Sequence, residues 1–184
     1  MDYFFIKKLK LWKSEKAKHR SQIGILVLFL ILVYWPFMVL AHQPRIVENE
    51  KINVVKPEIS KAYYGKLSGT SHTYMINTSV PIDLYVNVLV PFIEGPGKNL
   101  TVQIFKGDQS LTTLSPRKED WEKFFEPFGQ SMYWKGPEFK THADAGKYKI
   151  LVQSKEKNIR YVLATGEIEA FDGTEGLNAI LLIP

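Results

Sequence analysis

Four stretches of the chain alternate apolar and polar positions with a period of two. They are rich in β-branched and aromatic residues and lie at 84–90, 100–105, 147–153 and 161–165. This period is typical of strands that bury one face. Two earlier strands are predicted at 62–67 and 72–77, where Ser68-Gly69-Thr70 joins them. Turn residues such as Gly107-Asp108 separate the runs. The pattern predicts an all-β domain, an antiparallel β-sandwich or jelly roll.

One stretch near the N-terminus has a different character. Residues 23–41 are nineteen consecutive residues without a charge. At about 1.5 Å rise per residue they form a helix of roughly 28 Å, close to the hydrocarbon thickness of a bilayer. Seven basic residues precede this run within 1–22, and the basic-rich side of a membrane helix stays in the cytoplasm. We therefore expect a single-pass cell-membrane protein with its N-terminus inside and its C-terminal domain outside.

A cleaved signal peptide is the alternative interpretation of this run. Val39 and Ala41 are acceptable residues for cleavage after Ala41, which would leave a secreted domain. The apolar run is longer than the roughly 7–15 residues of a signal core, and this favours an anchor that contacts membrane lipid. The predicted organisation is a basic cytoplasmic tail at 1–22, a transmembrane helix at 23–41, a linker at 42–57 and an extracytoplasmic domain at 58–184.

The charge distribution and the absence of cysteine argue against several classes of function. The chain has a net charge of +5, but the tail at 1–22 holds seven basic and two acidic residues. The remainder therefore holds 24 − 7 = 17 basic and 19 − 2 = 17 acidic residues. A neutral domain gives no reason to expect nucleic-acid binding. The chain has no cysteine, which excludes disulfides and thiolate chemistry and suits a bacterial envelope protein.

The segment 116–137 interrupts the strand pattern with a long insertion. Its start, with Pro116 followed by Glu119 and Asp120, predicts a short helix that Pro127 ends. The insertion is rich in aromatic residues, which are Trp121, Phe124, Phe125, Phe128, Tyr133 and Trp134. Long insertions of this kind often carry function.

The segment Ala145-Gly146-Lys147-Tyr148-Lys149-Ile150-Leu151-Val152, preceded by Ile104-Phe105-Lys106-Gly107, carries a resemblance to a known type of domain. It resembles the end of the bacterial pre-peptidase C-terminal type of β-sandwich, over roughly residues 60–169. Those domains are secreted or surface modules, often appended to proteases, and their chemistry lies elsewhere in the chain. The resemblance implies a jelly-roll-like surface domain without an active site of its own.

The functional expectations rest on the aromatic insertion. No catalytic or cofactor-binding motif is recognisable, so no catalytic residue, metal ligand or cofactor is predicted. Trp121, Tyr133 and Trp134 are the predicted ligand-binding residues of a non-enzymatic module for an envelope glycan or protein. The alternative for these rings is a lid over one end of the sandwich.

Two other hypotheses remain open. One is an envelope hydrolase of glycan or peptide that uses carboxylates near the insertion. The other is a subunit whose apolar segment Leu177–Pro184 docks on a partner or on the membrane.

Overall fold

The computed structural model describes residues 42–94, 99–126 and 130–170. Within them the chain is all-β, with eleven strands and short 3₁₀ turns at Phe92–Glu94 and Lys118–Asp120. The strands are β1 Gln43–Ile46, β2 Lys51–Asn53, β3 Lys61–Leu67, β4 His72–Thr78, β5 Ile82–Pro91, β6 Leu100–Lys106, β7 Gln109–Leu114, β8 Glu122–Glu126, β9 Ser131–Ala143, β10 Gly146–Ser154 and β11 Ile159–Thr165. No helix in this part of the chain is long and apolar enough to cross a bilayer. The predicted span 23–41 lies outside the described residues.

The strands form two sheets. Sheet A has the order β1-β3-β11-β5-β9-β8, and sheet B has the order β2-β4-β10-β6-β7. Most neighbours are antiparallel, but β1 pairs with β3 and β2 pairs with β4 in parallel. Both sheets are therefore mixed, and the prediction of a purely antiparallel sandwich is wrong at these two edges.

The segment 42–57 is not a linker, which corrects the predicted organisation. It contains β1 and β2, one at the edge of each sheet. Pro44 is compatible with β1 because an edge strand has one side on which no ladder hydrogen bond is needed. The short strands gain their stability from distant partners rather than from their own sequence pattern.

The core lies between the sheets and is built from the alternating positions that the sequence indicates. Sheet A and sheet B contribute the fully buried side chains Leu84, Val86, Val88, Ile104, Ile150, Val152, Tyr161 and Leu163. The predicted strands at 62–67, 72–77, 84–90, 100–105, 147–153 and 161–165 are confirmed as β3, β4, β5, β6, β10 and β11. The apolar alternation thus fixes which face of each strand enters the core.

The aromatic segment 116–137 forms a hairpin rather than a helix followed by a loop. The predicted helix is only the turn Lys118–Asp120, in which the Asp120 carboxylate accepts a hydrogen bond of 2.7 Å from the Arg117 backbone N–H. Trp121 then adopts an extended backbone and β8 follows at once. Strand β9 extends the hairpin and pairs with both β8 and β5. Strand pairing and burial of Trp121 therefore override the local helix signals.

Candidate functional site

The β8–β9 hairpin displays aromatic side chains on both of its faces. The register pairs Phe124 with Tyr133 on one face, and Lys123 with Trp134 on the other. Because successive residues of a strand point to opposite sides, Tyr133 and Trp134 cannot share one surface. The hairpin therefore contributes to two separate surfaces, one on each side of sheet A.

Trp121 belongs to the core and not to either surface. Only 6% of the residue is exposed, and it is part of the main apolar cluster. The ring lies over Gly136, where a Cβ atom would come within 3.1 Å of Trp121 Cζ3 and of the Val88 carbonyl oxygen. Burial of this ring agrees with the alternative interpretation of the insertion, in which its aromatic residues cover one end of the sandwich.

Trp134 lies in an exposed apolar surface at the end of sheet A. We call this surface the end patch, and its members are Phe92, Ile93, Phe125, Met132 and Trp134. Phe92 and Trp134 stack with ring centroids 4.8 Å apart at an interplanar angle of 22°. Phe125 and Met132 are cross-strand neighbours with 52% and 40% of their surface exposed, and Ile93 is 81% exposed. The end patch thus joins a half-buried aromatic stack to three exposed apolar side chains.

Among the described residues, the ammonium group of Lys123 lies against this aromatic stack. Lys123 Nζ lies 5.4 Å from the centroid of the Phe92 ring and 5.9 Å from that of Trp134. An ammonium group at this distance is attracted to the ring faces. Lys123 therefore gives the patch a positive rim without interrupting its apolar centre.

Tyr133 lies on the outer face of sheet A, in what we call the outer groove. The groove is lined by side chains from five strands and by the residue that precedes β1, and they are His42, Ala62, Tyr64, Leu89, Phe124, Glu126, Tyr133, Val162 and Ala164. Ala62, Leu89, Val162 and Ala164 form a second buried apolar cluster that is separate from the core. The remaining cavity is small, about 30 Å³. That volume is far below the roughly 300–1,000 Å³ of a typical small-molecule site.

Two tyrosines bridge the groove above its apolar floor. The Tyr64 and Tyr133 hydroxyl groups are hydrogen-bonded, although β11 and β5 separate their strands in the sheet. Burial raises the pKa of both phenols, and the nearby Glu126 carboxylate raises both pKa values further. The two hydroxyls are therefore neutral hydrogen-bonding groups at physiological pH.

The structure does not bring the three predicted binding residues together. Trp121 is in the core, Trp134 in the end patch and Tyr133 in the outer groove. Sequence reasoning missed Phe92, Ile93, Phe125 and Met132 as partners of Trp134. Their sequence signal is an apolar character beside the turn-forming residues Gly95, Pro96, Gly97, Pro127 and Gly129, and this signal does not reveal that the two segments meet.

Two carboxylates near the hairpin, those of Glu138 and Asp120, are engaged in structural pairs. Glu138 accepts a hydrogen bond of 3.0 Å from Tyr85 and pairs with Lys135 Nζ at 3.1 Å. The Lys135 and Tyr85 hydrogen bonds lower the pKa of Glu138, and hydrogen bonds from Arg117 lower that of Asp120. A catalytic acid of a glycosidase requires the opposite shift.

The fold defines the class of protein, a β-sandwich module. No protein-family model and no curated protein matches the chain. Among solved structures, the pre-peptidase C-terminal domain of collagenase from Bacillus anthracis is similar at a TM-score of 0.36 and 13% identity. The match covers 68% of this chain and 95% of that one. That structure is a domain of the same type as the one that the sequence resembles.

A second solved structure is similar over a smaller part of its length. It is the catalytic domain of a GH87 alpha-1,3-glucanase in complex with nigerose, at a TM-score of 0.29 and 14% identity. The match covers 60% of this chain and 22% of that one. The chain therefore spans about a fifth of the glucanase domain.

Proposed function

We propose that this protein is a membrane-anchored, extracytoplasmic interaction module that binds another envelope protein and has no catalytic activity. The predicted helix at 23–41 anchors it, and the basic tail at 1–22 stays inside the cell. The β-sandwich presents the binding surface. The lowered pKa values of Asp120 and Glu138 support a structural role for these carboxylates.

The end patch is the observation that carries this proposal. Monomeric soluble domains rarely leave large apolar side chains clustered at the surface, and such clusters mark interaction sites. Aromatic residues and methionine are enriched at the centre of protein interfaces, and the end patch consists of two phenylalanines, a tryptophan, a methionine and an isoleucine. The groups on the partner that match this patch are apolar, with an acidic group facing Lys123.

A matched pair of double variants tests the proposal in the full-length chain. Phe125→Ser with Met132→Ser removes two of the three most exposed apolar side chains of the patch. Ile46→Ser with Met75→Ser removes apolar side chains of equal exposure elsewhere, at 50% and 39%. Both variants should remain folded, because truncating an exposed side chain costs less than about 1 kcal/mol.

The readout is the set of proteins co-isolated from native membranes after chemical crosslinking. We expect the first double variant to lose a partner that the unmodified chain and the second double variant both retain. Equal recovery from all three would exclude the end patch as the binding surface.

The anchor has its own test. The intact protein should resist carbonate extraction, and protease added outside cells should remove the residues beyond about 45 because these follow the predicted span. A mature N-terminus at His42 would contradict the anchor and indicate a secreted domain instead.

A further inference from the structure

The outer face of sheet B, which points away from the core, carries positive charge and no negative charge. Lys51 on β2 and both Lys147 and Lys149 on β10 alternate with residues that pack on the core, so they project from this face. None of the five strands of sheet B contains an aspartate or a glutamate. We call the surface around these three lysines the basic face.

The lysines of the basic face lack the ion pairs that neutralise other lysines of the domain. On the outer face of sheet A, Lys140 pairs with Glu167 at 2.7 Å. Lys106, the fourth lysine in the strands of sheet B, pairs with Asp144 at 3.0 Å. Among the described residues, no carboxylate pairs with the three lysines of the basic face. Protein surfaces normally intersperse both signs of charge, so a face of one sign favours an anionic ligand.

An aromatic ring orders one of these ammonium groups. Lys149 and Phe105 are direct cross-strand neighbours, and Lys149 Nζ lies 4.4 Å from the centroid of the Phe105 ring. The ring attracts the ammonium group without cancelling its charge. Because this cation is already ordered, it loses less conformational entropy when it binds an anion.

The spacing of the lysines suits a ligand with several anionic groups. Lys147 and Lys149 are two residues apart on one strand, which separates their Cα atoms by about 7 Å. The register places Lys51 opposite Thr73, and Thr73 opposite Leu151. Lys51 is therefore two strands from β10, and its Cα atom is about 12 Å from that of Lys149. A polymer with repeated anionic groups can contact all three lysines at once, whereas a single small anion cannot.

Neutral polar side chains of the same face complement the lysines. Asn77 lies directly opposite Lys147, and the Gln153 amide donates a hydrogen bond of 3.4 Å to the Gln103 side-chain carbonyl. Amide side chains both donate and accept hydrogen bonds, as the hydroxyl groups of a sugar do. This combination of amides and cations favours a charged sugar polymer over a lipid surface.

We propose that the basic face binds an anionic glycan, a polymer of sugar units that carry carboxylate or phosphate groups. The ammonium groups of Lys51, Lys147 and Lys149 contact the anionic groups, and the amide side chains contact the sugar hydroxyls. The basic face is on sheet B, whereas the end patch is at the end of sheet A. The inference therefore does not depend on the proposed protein partner, and its failure would leave that proposal intact.

Lysine acetylation followed by mass spectrometry tests this proposal in the full-length chain, held in phosphatidylcholine nanodiscs. The method reports each lysine separately, so binding of the polymer to the basic tail at 1–22 does not obscure the result. Carboxymethyl dextran or dextran phosphate should slow acetylation of Lys51, Lys147 and Lys149 at least threefold. The exposed lysines at 66, 118 and 157 should react at unchanged rates. Unmodified dextran should protect none of them, and the polymer that protects more strongly identifies the preferred anionic group.

Three results would overturn the proposal. The first is the absence of protection by either charged polymer. The second is equal protection of both sets of lysines, which would indicate attraction without a site. The third is protection by phosphatidylglycerol vesicles that equals or exceeds protection by the polymers at the same concentration of anionic groups, which would assign the face to lipid.

Two single variants of equal charge provide an independent measurement. Lys147→Gln removes a cation from the basic face, and Lys118→Gln removes one from an exposed turn elsewhere. The polymer concentration that half-protects Lys149 should rise at least threefold in Lys147→Gln and stay unchanged in Lys118→Gln. The same shift in both variants would overturn the proposal, since it would reflect net charge alone.

Discussion

Replacing Trp121 by alanine should strongly destabilise the domain, although the sequence alone suggested a binding role for this ring. The ring is buried against Gly136 and Val88 in the main core. Truncating a buried Trp or Phe to alanine costs about 3–5 kcal/mol because the lost contacts add to the cavity that remains. For a domain of this size, that loss lowers the melting temperature by about 10–20 °C.

Trp134→Ala provides the comparison for this prediction. Trp134 is half-buried and stacked on Phe92, so its truncation should cost only about 1–2 kcal/mol. Thermal unfolding of the full-length chain followed by far-ultraviolet circular dichroism measures both variants. The reasoning would be refuted if Trp121→Ala melted within a few degrees of the unmodified protein, or if Trp134→Ala were the more damaging change.

Three further predictions concern the buried cluster of His72, Tyr74 and Tyr161. Gly65→Ala should destabilise the domain by about 1–3 kcal/mol, because a Cβ there would lie 2.5 Å from Tyr161 Cζ, and by less in a Tyr161→Leu background. Tyr161→Phe should cost about 1–3 kcal/mol in urea unfolding, since it removes hydrogen bonds of 2.7 Å to His72 and 2.8 Å to Tyr74. Burial lowers the pKa of His72, so the free energy of unfolding should fall as the pH drops from about 6.5 toward the folded-state pKa. In His72→Gln that part of the pH dependence should disappear from a series of thermal melts, and an unchanged profile would contradict this assignment.

The central strands could be predicted from the sequence because their signal is local. In β5 and in the central parts of β6 and β10, every second residue is apolar and enters the core, so the period of two is visible without knowledge of the partner strand. The edges could not be predicted in this way. β1 and β2 are four and three residues long, and each depends on parallel pairing with a strand distant in sequence.

The segment that carries the candidate site could be identified from the sequence, but the division of its aromatic residues between separate surfaces could not. The concentration of aromatic residues at 116–137 marks the segment that contains β8 and the start of β9. The assignment of Trp121, Tyr133 and Trp134 to a common surface failed because it requires the register of β8 against β9 and the position of Trp121 over Gly136. Phe92 and Ile93 join the end patch only through the pairing of β5 with β9. These contacts depend on the tertiary structure and produce no local pattern in the sequence.

Photo-crosslinking in intact cells tests the interaction module most directly. The full-length chain carries a benzophenone side chain either at position 132 in the end patch or at position 75 in sheet B. The two natural methionines are almost equally exposed, at 40% and 39%. The proposed function predicts a defined protein adduct from position 132 and none from position 75. Identical adduct patterns, or no adduct from position 132 in cells that contain the folded protein, would contradict it.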